Sequence, residues 1–245
     1  MIGFIVQARL GSTRLPNKIL LPFYQGKSIF ELLLEKLLHF QETKCVVATT
    51  LDPINDQIVE ICDKYGVTCF RGDENDVMQR FISAAQLNDI DKIIRVCSDN
   101  PFLNIAAISE LIAKVKSTNK DYISFDILGI PSIKTHFGFW TEYVALEALY
   151  KVRTLTSDML YYEHVTNYIY THPELFEIDW ITPPPIIVEN KNIRLTIDTL
   201  QDFQVAQQIY HAIDNKDSFV ELFNYIKDHP DIMLTMQKQI ELNSK

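Results

Sequence analysis

Glycine is scarce in this chain, at seven of 245 residues. The long glycine-rich loops that wrap nucleotides in many α/β proteins therefore have no counterpart here, and Gly11 stands nearly alone in the first stretch. Cysteine is also sparse. Cys45, Cys62, Cys69 and Cys97 show no C-x-x-C spacing, which argues against both a zinc ribbon and a disulfide framework and marks them as reduced core side chains. Positive charge is in deficit, with 23 Lys and Arg against 32 Asp and Glu for a net charge of -9. A protein that grips nucleic acid needs a basic footprint, so any anionic ligand must be small and held locally. No apolar run approaches the ~20 residues that span a bilayer. Met1 leads directly into an apolar run without a basic preamble, so no signal peptide is expected, and the setting expected is the cytoplasm.

What is present is concentrated at the start, in MIGFIVQARLGSTRLPNKIL. Ile2 to Gln7 is an apolar run rich in β-branched and aromatic residues, the composition of a buried strand. It empties into a loop carrying Arg9, Gly11, Ser12, Thr13, Arg14, Pro16 and Lys18. A buried strand followed by a cationic loop is how α/β proteins build phosphate sites at the carboxyl edge of a sheet. Arg offers a two-pronged fork to phosphate oxygens, Lys a mobile point charge, and Ser12 and Thr13 hydroxyl donors. Without the strand before it, the same loop would pass for a solvated basic patch.

Further on, Ser28 with Glu31 reads as a capping box opening the helix SIFELLLEKLLHF. Lys44 to Thr49 reads as a strand, Asn55 to Tyr65 as a helix closed by Gly66, and Val67 to Phe70 and Ile90 to Val96 as strands. This alternation predicts βαβ units, hence a doubly wound, mostly parallel, Rossmann-like α/β sheet. Length allows one domain over 1–245. The second half is less regular. Asp121 to Phe125, Ser132 to Phe137, Leu175 to Ile181 and Ile193 to Ile197 are predicted strands. Thr141 to Arg153, Asp158 to Tyr170, Leu200 to Ile213, Ser218 to Lys227 and Asp231 to Asn243 are predicted helices, and Pro183 to Pro185 an extended link.

Two aspartates stand where strands hand over to helices. Asp99 follows the Ile90 strand in RVCSDNPFL, and Asp198 lies in IRLTIDTLQDF. Two carboxylates at one sheet edge can hold a hard cation. Either is equally a turn or cap residue on sequence alone, and Thr199 and Asp202 would cap as well as Asp198.

QARLGSTRLPNK resembles the signature of the cytidylyltransferases that activate acidic sugars, most of all the branch typified by spore coat polysaccharide biosynthesis protein F. SDNPF is similar to that family's G-D-x-P-L element, IDTLQD to its D-T-P-E-D segment, and EHVTNYIY to a matching stretch near its sugar pocket. The resemblance implies an enzyme that transfers CMP from CTP to an acidic sugar, with release of pyrophosphate, for a surface polysaccharide. It implies catalytic roles for Arg9, Arg14 and Lys18, and nucleotide contacts by Gln7, Ala8, Arg9, Gly11, Ser12, Arg14 and Lys18. Gln7 and Ala8 would read the pyrimidine edge. From the likeness of FRGDENDVMQRF to the family's F-R-G-x-E-D-D-V-L-x-R-Y, Arg71 and Arg80 are added to the nucleotide site, although both could simply pair with Asp73, Glu74 or Asp76. Asp99 and Asp198 would hold Mg2+, while Glu142, Trp140, Glu163 and His164 would face the sugar. Trp140 replaces the branch's usual Asp, so the sugar's identity does not carry over. Residues from about 121 to 190 would form a small β-containing insertion for sugar binding and homodimer contact. A nucleotidyltransferase using another nucleotide on a sugar 1-phosphate, and a non-catalytic nucleotide-binding subunit, remain alternatives.

Overall fold

A computed structural model of the protein describes residues 1–243. Its centre is a seven-stranded sheet built from β1 (Ile2–Gln7), β4 (Lys44–Thr50), β5 (Thr68–Gly72), β6 (Lys92–Cys97), β7 (Tyr122–Phe125), β8 (Glu142–Ala145) and β9 (Ile178–Ile181). A separate short hairpin joins β2 (Pro22–Tyr24) to β3 (Lys27–Ser28). The sheet order is β5-β4-β1-β6-β8-β7-β9. Strands β5, β4, β1 and β6 run parallel, while β8 is antiparallel to both of its neighbours. The mostly parallel α/β sheet expected from the sequence is present. Its first four strands also put the loops after β1 and β6 side by side.

Helices cover both faces. They are α1 (Ile29–Leu38), α2 (Asp56–Tyr65), α3 (Val77–Leu87), α4 (Ile105–Lys116), α5 (Leu146–Leu155), α6 (Met159–Glu163), α7 (Asn167–Thr171), α8 (Pro185–Val188), α9 (Leu200–Ala212), α10 (Phe219–Lys227) and α11 (Pro230–Leu242). On one face Phe4, Val6, Ile94 and Val96 pack with Ile58, Ile108, Leu111 and Ile209. On the other, Ile5, Val46, Ala48 and Ile93 meet Phe81, Leu149, Val152 and Ile169. Burying each such side chain contributes about 1.5–3 kcal/mol, so this double-sided burial holds β1 firmly at the centre. Along the second face, composition changes towards the carboxyl ends. Ile5 gives way to Gln7, and Ile93 to Arg95 and Cys97. No helix among the described residues is long and apolar enough to cross a membrane.

The expected caps are present. Ser28 and Glu31 form the capping box of α1, and Gly66 closes α2 in the left-handed region at φ 66. Several second-half expectations are corrected. The front of the predicted Thr141 helix is strand β8, because Glu142, Tyr143 and Val144 pair in register with Arg95, Ile94 and Ile93. Ser132 to Phe137 is one 3-10 turn, Ser132–Lys134, followed by loop, since both edges of β7 are already taken by β8 and β9. Ile193 to Ile197 is buried but joins no strand ladder; the amides of Leu195 and Thr196 donate to the His136 carbonyl instead. The predicted Asp158 helix breaks between α6 and α7, where Thr166 turns its hydroxyl inward to Glu142.

Candidate active site

The loop after β1 is clamped at its root. The buried Asn55 side chain accepts from the Leu10 amide at 2.8 Å and donates to Thr50 Oγ1 at 2.7 Å, so the loop leaves the sheet edge in one direction. Asn17 takes φ 57 in the tight turn that follows, which directs Lys18 back towards the sheet. Lys18 Nζ then lies 2.6 Å from Asp99 Oδ2, 2.5 Å from the Ile197 carbonyl oxygen and 3.7 Å from Asp198 Oδ1. Arg14 Nη2 donates to the same Asp198 oxygen at 2.8 Å. Two carboxylates that are 99 residues apart in sequence (198 − 99) thus converge on one ammonium at the carboxyl ends of β1 and β6.

Neither aspartate caps a helix. Asn104 caps α4 by accepting from the Ala107 amide, and Thr199 with Asp202 forms the capping box of α9. The capping roles open to Asp99 and Asp198 are therefore filled by other residues, while Asp99 stands in the turn that follows β6. Asp198 is instead held from behind by Arg194, whose side chain is fully buried and reaches both Asp198 Oδ2 and Asp202 Oδ1 at 2.8 Å. Burial by itself pushes the Asp198 carboxyl up, but the charges of Lys18, Arg14 and Arg194 outweigh it and hold it below the ordinary value of 3.8. The stability it lends is complete above that value and is lost at lower pH, as the carboxylate protonates.

Around this hub lies a cleft of about 340 Å³ lined by Gln7, Arg9, Gly11, Ser12, Arg14, Lys18, Arg95, Asp99 and Asp198. Four cations face two carboxylates there, a local excess of positive charge in a chain of net charge -9. That is the electrostatic setting for a polyphosphate. A Cβ added to Gly11 would meet nothing within 4 Å, so the loop stands open at that point.

An adjoining cavity of about 130 Å³ shares Cys97, Asp99 and Asp198 and adds Trp140, Ser132, Thr135 and Thr196. Its wall includes Gly138 at φ 68, where a Cβ would come within 3.1 Å of Asn100 Oδ1. Gly138→Ala is expected to cost about 1–3 kcal/mol, since it combines left-handed backbone with that close approach. Thermal unfolding checks it: a melting temperature equal to wild type would show that this loop is not held as described.

The two carboxylates suit magnesium. It is bound through one or two carboxylates with the remaining positions left to phosphate oxygens and water, and the Lys18 ammonium already stands in as the cation both oxygens face. No group of three or more His, Cys, Asp or Glu among the described residues makes a complete protein cage.

The family profile described as Cytidylyltransferase matches residues 3–242 of the chain. The chain belongs to the cytidylyltransferase family. An uncharacterized protein of Methanocaldococcus jannaschii is 36% identical over 233 residues, covering 93% of this chain and 91% of that protein. Spore coat polysaccharide biosynthesis protein SpsF of Bacillus subtilis is 31% identical over 238 residues, covering 94% and 95%. Among solved structures, a cytidylyltransferase from Leptospira borgpetersenii superposes with a TM-score of 0.82 at 29% identity, covering 95% of this chain and 96% of its own.

Within this cytidylyltransferase, the cleft gathers Gln7, Arg9, Gly11, Ser12, Arg14, Lys18, Asp99 and Asp198, with Trp140 next door. Other sequence candidates fall elsewhere. Ala8 is buried in the core and its amide donates to the Ala48 carbonyl, so neither its side chain nor its amide faces the cleft as a free group. Arg71 is spent on the Thr50 and Asp52 carbonyls and on Asp56 at 2.6 Å; β5 lies at the sheet edge, away from the cleft. Arg80 is buried and ties down the Asp73 carbonyl at 2.5 Å, with burial first and Arg9 second pushing it down to about 10. Glu163 faces a separate cavity with Arg9, Glu74 and Asn75, whereas His164 lines one with Arg95 and Lys134.

Glu142 departs furthest from expectation. It is only 2% exposed and lines none of these cavities, because Arg95, Tyr122 and Thr166 all donate to it. Sequence reading missed Arg95, Asn55 and Arg194. Arg95 was detectable as a lone cation inside an otherwise apolar strand.

Proposed function

We propose that the protein transfers CMP from CTP to the hydroxyl of an acidic sugar, releasing pyrophosphate, to supply an activated sugar for a surface polysaccharide. One observation carries this reading: Lys18, Asp99 and Asp198 converge at the floor of a cationic cleft at the carboxyl edge of the sheet. SpsF is named for spore coat polysaccharide biosynthesis and the Leptospira structure as a cytidylyltransferase, which supports the reading in pathway class and in nucleotide.

In this reading Arg9, Arg14 and Lys18 orient the triphosphate and stabilise charge on the departing pyrophosphate. The acceptor hydroxyl gives up its proton to water as its oxygen attacks the α-phosphorus, and the bond from that phosphorus to the oxygen bridging the β-phosphate breaks, so pyrophosphate leaves with the electron pair. Asp198 and Asp99 already hold Arg14 and Lys18 in the cleft, so an arriving phosphate displaces those carboxylates from side chains that are in place. Asp99 and Asp198 would hold magnesium, which when bound neutralises phosphate charge. Arg194 keeps Asp198 aimed, and the cavity beside Trp140 receives the acceptor. We infer from the resemblance a homodimer acting in the cytoplasm.

Nucleotide choice tests the reading. CTP with magnesium at about 100 times its dissociation constant stabilises a folded protein by about 2.7 kcal/mol, a rise of about 5–10 °C in melting temperature at this length. ATP is expected to give less than a quarter of that shift. Equal shifts from CTP and ATP would remove the cytidylyl assignment and favour another nucleotide.

A further inference from the structure

Arg194 has a partner on the side away from the aspartates. Its side chain is fully buried. Nε donates to Asp202 Oδ1 at 2.8 Å, and Nη2 donates to Asp198 Oδ2 at 2.8 Å and to Asp202 Oδ2 at 3.1 Å. The other amino group, Nη1, lies 2.6 Å from Nδ1 of His136. A guanidinium only donates, so Nδ1 accepts and the imidazole carries its proton on Nε2.

His136 belongs to the segment that walls the cavity beside Asp99 and Asp198. Ser132, Ile133, Thr135 and Gly138 of that segment line it, as does Thr196 from the facing stretch. Backbone joins the two stretches as well, since the His136 carbonyl accepts from the amides of Leu195 at 2.8 Å and Thr196 at 3.1 Å. The ring therefore meets Arg194 from a place that the main chain has already fixed.

What the ring does follows from a count of donors against acceptors. Asp198 offers two oxygens. Oδ1 meets the cleft cations, Arg14 at 2.8 Å and Lys18 at 3.7 Å, while Arg194 takes Oδ2 from behind. Asp202 Oδ2 is crowded, because the amides of Asp198 and Thr199 and the Thr199 hydroxyl share it with Nη2. Without His136, Nη1 would be a buried donor with no acceptor of its own, a costly state. It would then compete for the Asp198 carboxylate, the group a metal ion needs. A neutral acceptor at Nη1 removes that competition.

We propose that His136 is a positioning residue for the divalent cation: by accepting from Nη1 it confines Arg194 to one oxygen of Asp198 and leaves the other to the metal. This rests on the cytidylyl-transfer reading for the presence of the metal, and adds a residue outside the nucleotide cleft that sets how tightly it is held. Partners one layer behind the ligands commonly change metal affinity by about 10- to 100-fold.

The test titrates the full chain into Mn2+ and CTP and reads the protein-bound ion from its enhanced relaxation of water protons. Binding of CTP without metal is followed in parallel by melting temperature. His136→Phe keeps a ring but accepts nothing, and is expected to weaken Mn2+ about 10-fold while the metal-free CTP shift stays within about 1 °C. His136→Asn offers an amide oxygen in place of Nδ1 and is expected to stay within about threefold of wild type. A packing role alone gives the opposite order, with Phe nearer wild type than Asn. His136→Ala removes acceptor and bulk together and should match Phe, which keeps the test decisive if one of the two fails to fold. Phe and Ala both within about twofold of wild type, or Asn as weak as Phe, overturns the proposal. No bound ion in the wild-type chain with CTP sinks the metal step of the transfer reading and this inference with it, whereas an ion held equally by wild type and His136→Phe sinks this one alone.

Discussion

Changing Asp99 to asparagine is expected to lower turnover about 10³-fold while leaving the melting temperature within about 2 °C of wild type. The two halves of that result have separate causes. Asp99 is 29% exposed at its side chain, and its one ion pair among the described residues is with Lys18. An asparagine carbonyl still accepts from that ammonium, and Asn104, not Asp99, caps the following helix, so the fold loses little. What the amide cannot supply is the anionic oxygen a magnesium ion requires. A contribution of several kcal/mol to a charged transition state corresponds to about three decades in rate. Pyrophosphate release at saturating CTP and acceptor measures it, across a magnesium titration. Turnover within tenfold of wild type at every magnesium concentration would remove Asp99 from the chemistry. Asp198→Asn should match it in rate but melt lower, because Arg194 and Arg14 lose a partner that Asp99 does not have.

The first four strands of the sheet were legible because local composition and tertiary role agree there. Ile2 to Gln7 is buried on both faces, so a continuous apolar run suffices to find it. Strand β8 was not legible. Glu142 to Ala145 carries a charged residue first and runs directly into helix α5, and only pairing with β6 makes it a strand. Ile193 to Ile197 shows the opposite error: it has the composition of a strand but satisfies its amides through His136. The same split applies to the site. Arg9, Arg14 and Lys18 are local in sequence, and the structure brings them to one cleft with Asp99 from a strand end. Arg71 and Glu142 stand outside that cleft because their partners, Asp56 and Arg95, are fixed by folding and not by spacing.

The cleft has a further property that sequence could not supply. In the chain alone, two of its four cations are paired with the acidic groups expected to bind metal, Lys18 with Asp99 and Arg14 with Asp198. A triphosphate arriving with a divalent cation would exchange one set of pairs for another, with phosphate taking the cations and the carboxylates free to hold the metal. In that exchange each ion would gain a new partner as it loses the old one, so none would be left buried and unpaired, the situation that is most costly.

Lys18→Ala is expected to lower turnover about 10²–10³-fold while weakening CTP binding less than tenfold. The side chain is 12% exposed and sits against both carboxylates and the Ile197 carbonyl. In the bound ground state it would share the triphosphate with Arg9, Arg14 and the metal, so its loss removes one of several attractions. As the bond to the leaving pyrophosphate breaks, negative charge grows on the bridging oxygen, and a preorganised cation then matters more than in the ground state. Alanine also leaves Asp99 and Asp198 facing each other with no ammonium between them. The variant should therefore melt lower without magnesium and recover part of that loss when magnesium is added. A CTP titration set beside initial pyrophosphate release separates the two roles. Collapsed affinity with preserved turnover at saturation would make Lys18 a ground-state anchor, and the leaving-group role would pass to Arg9 or Arg14. A melting temperature that magnesium does not raise would show that the two carboxylates do not share an ion.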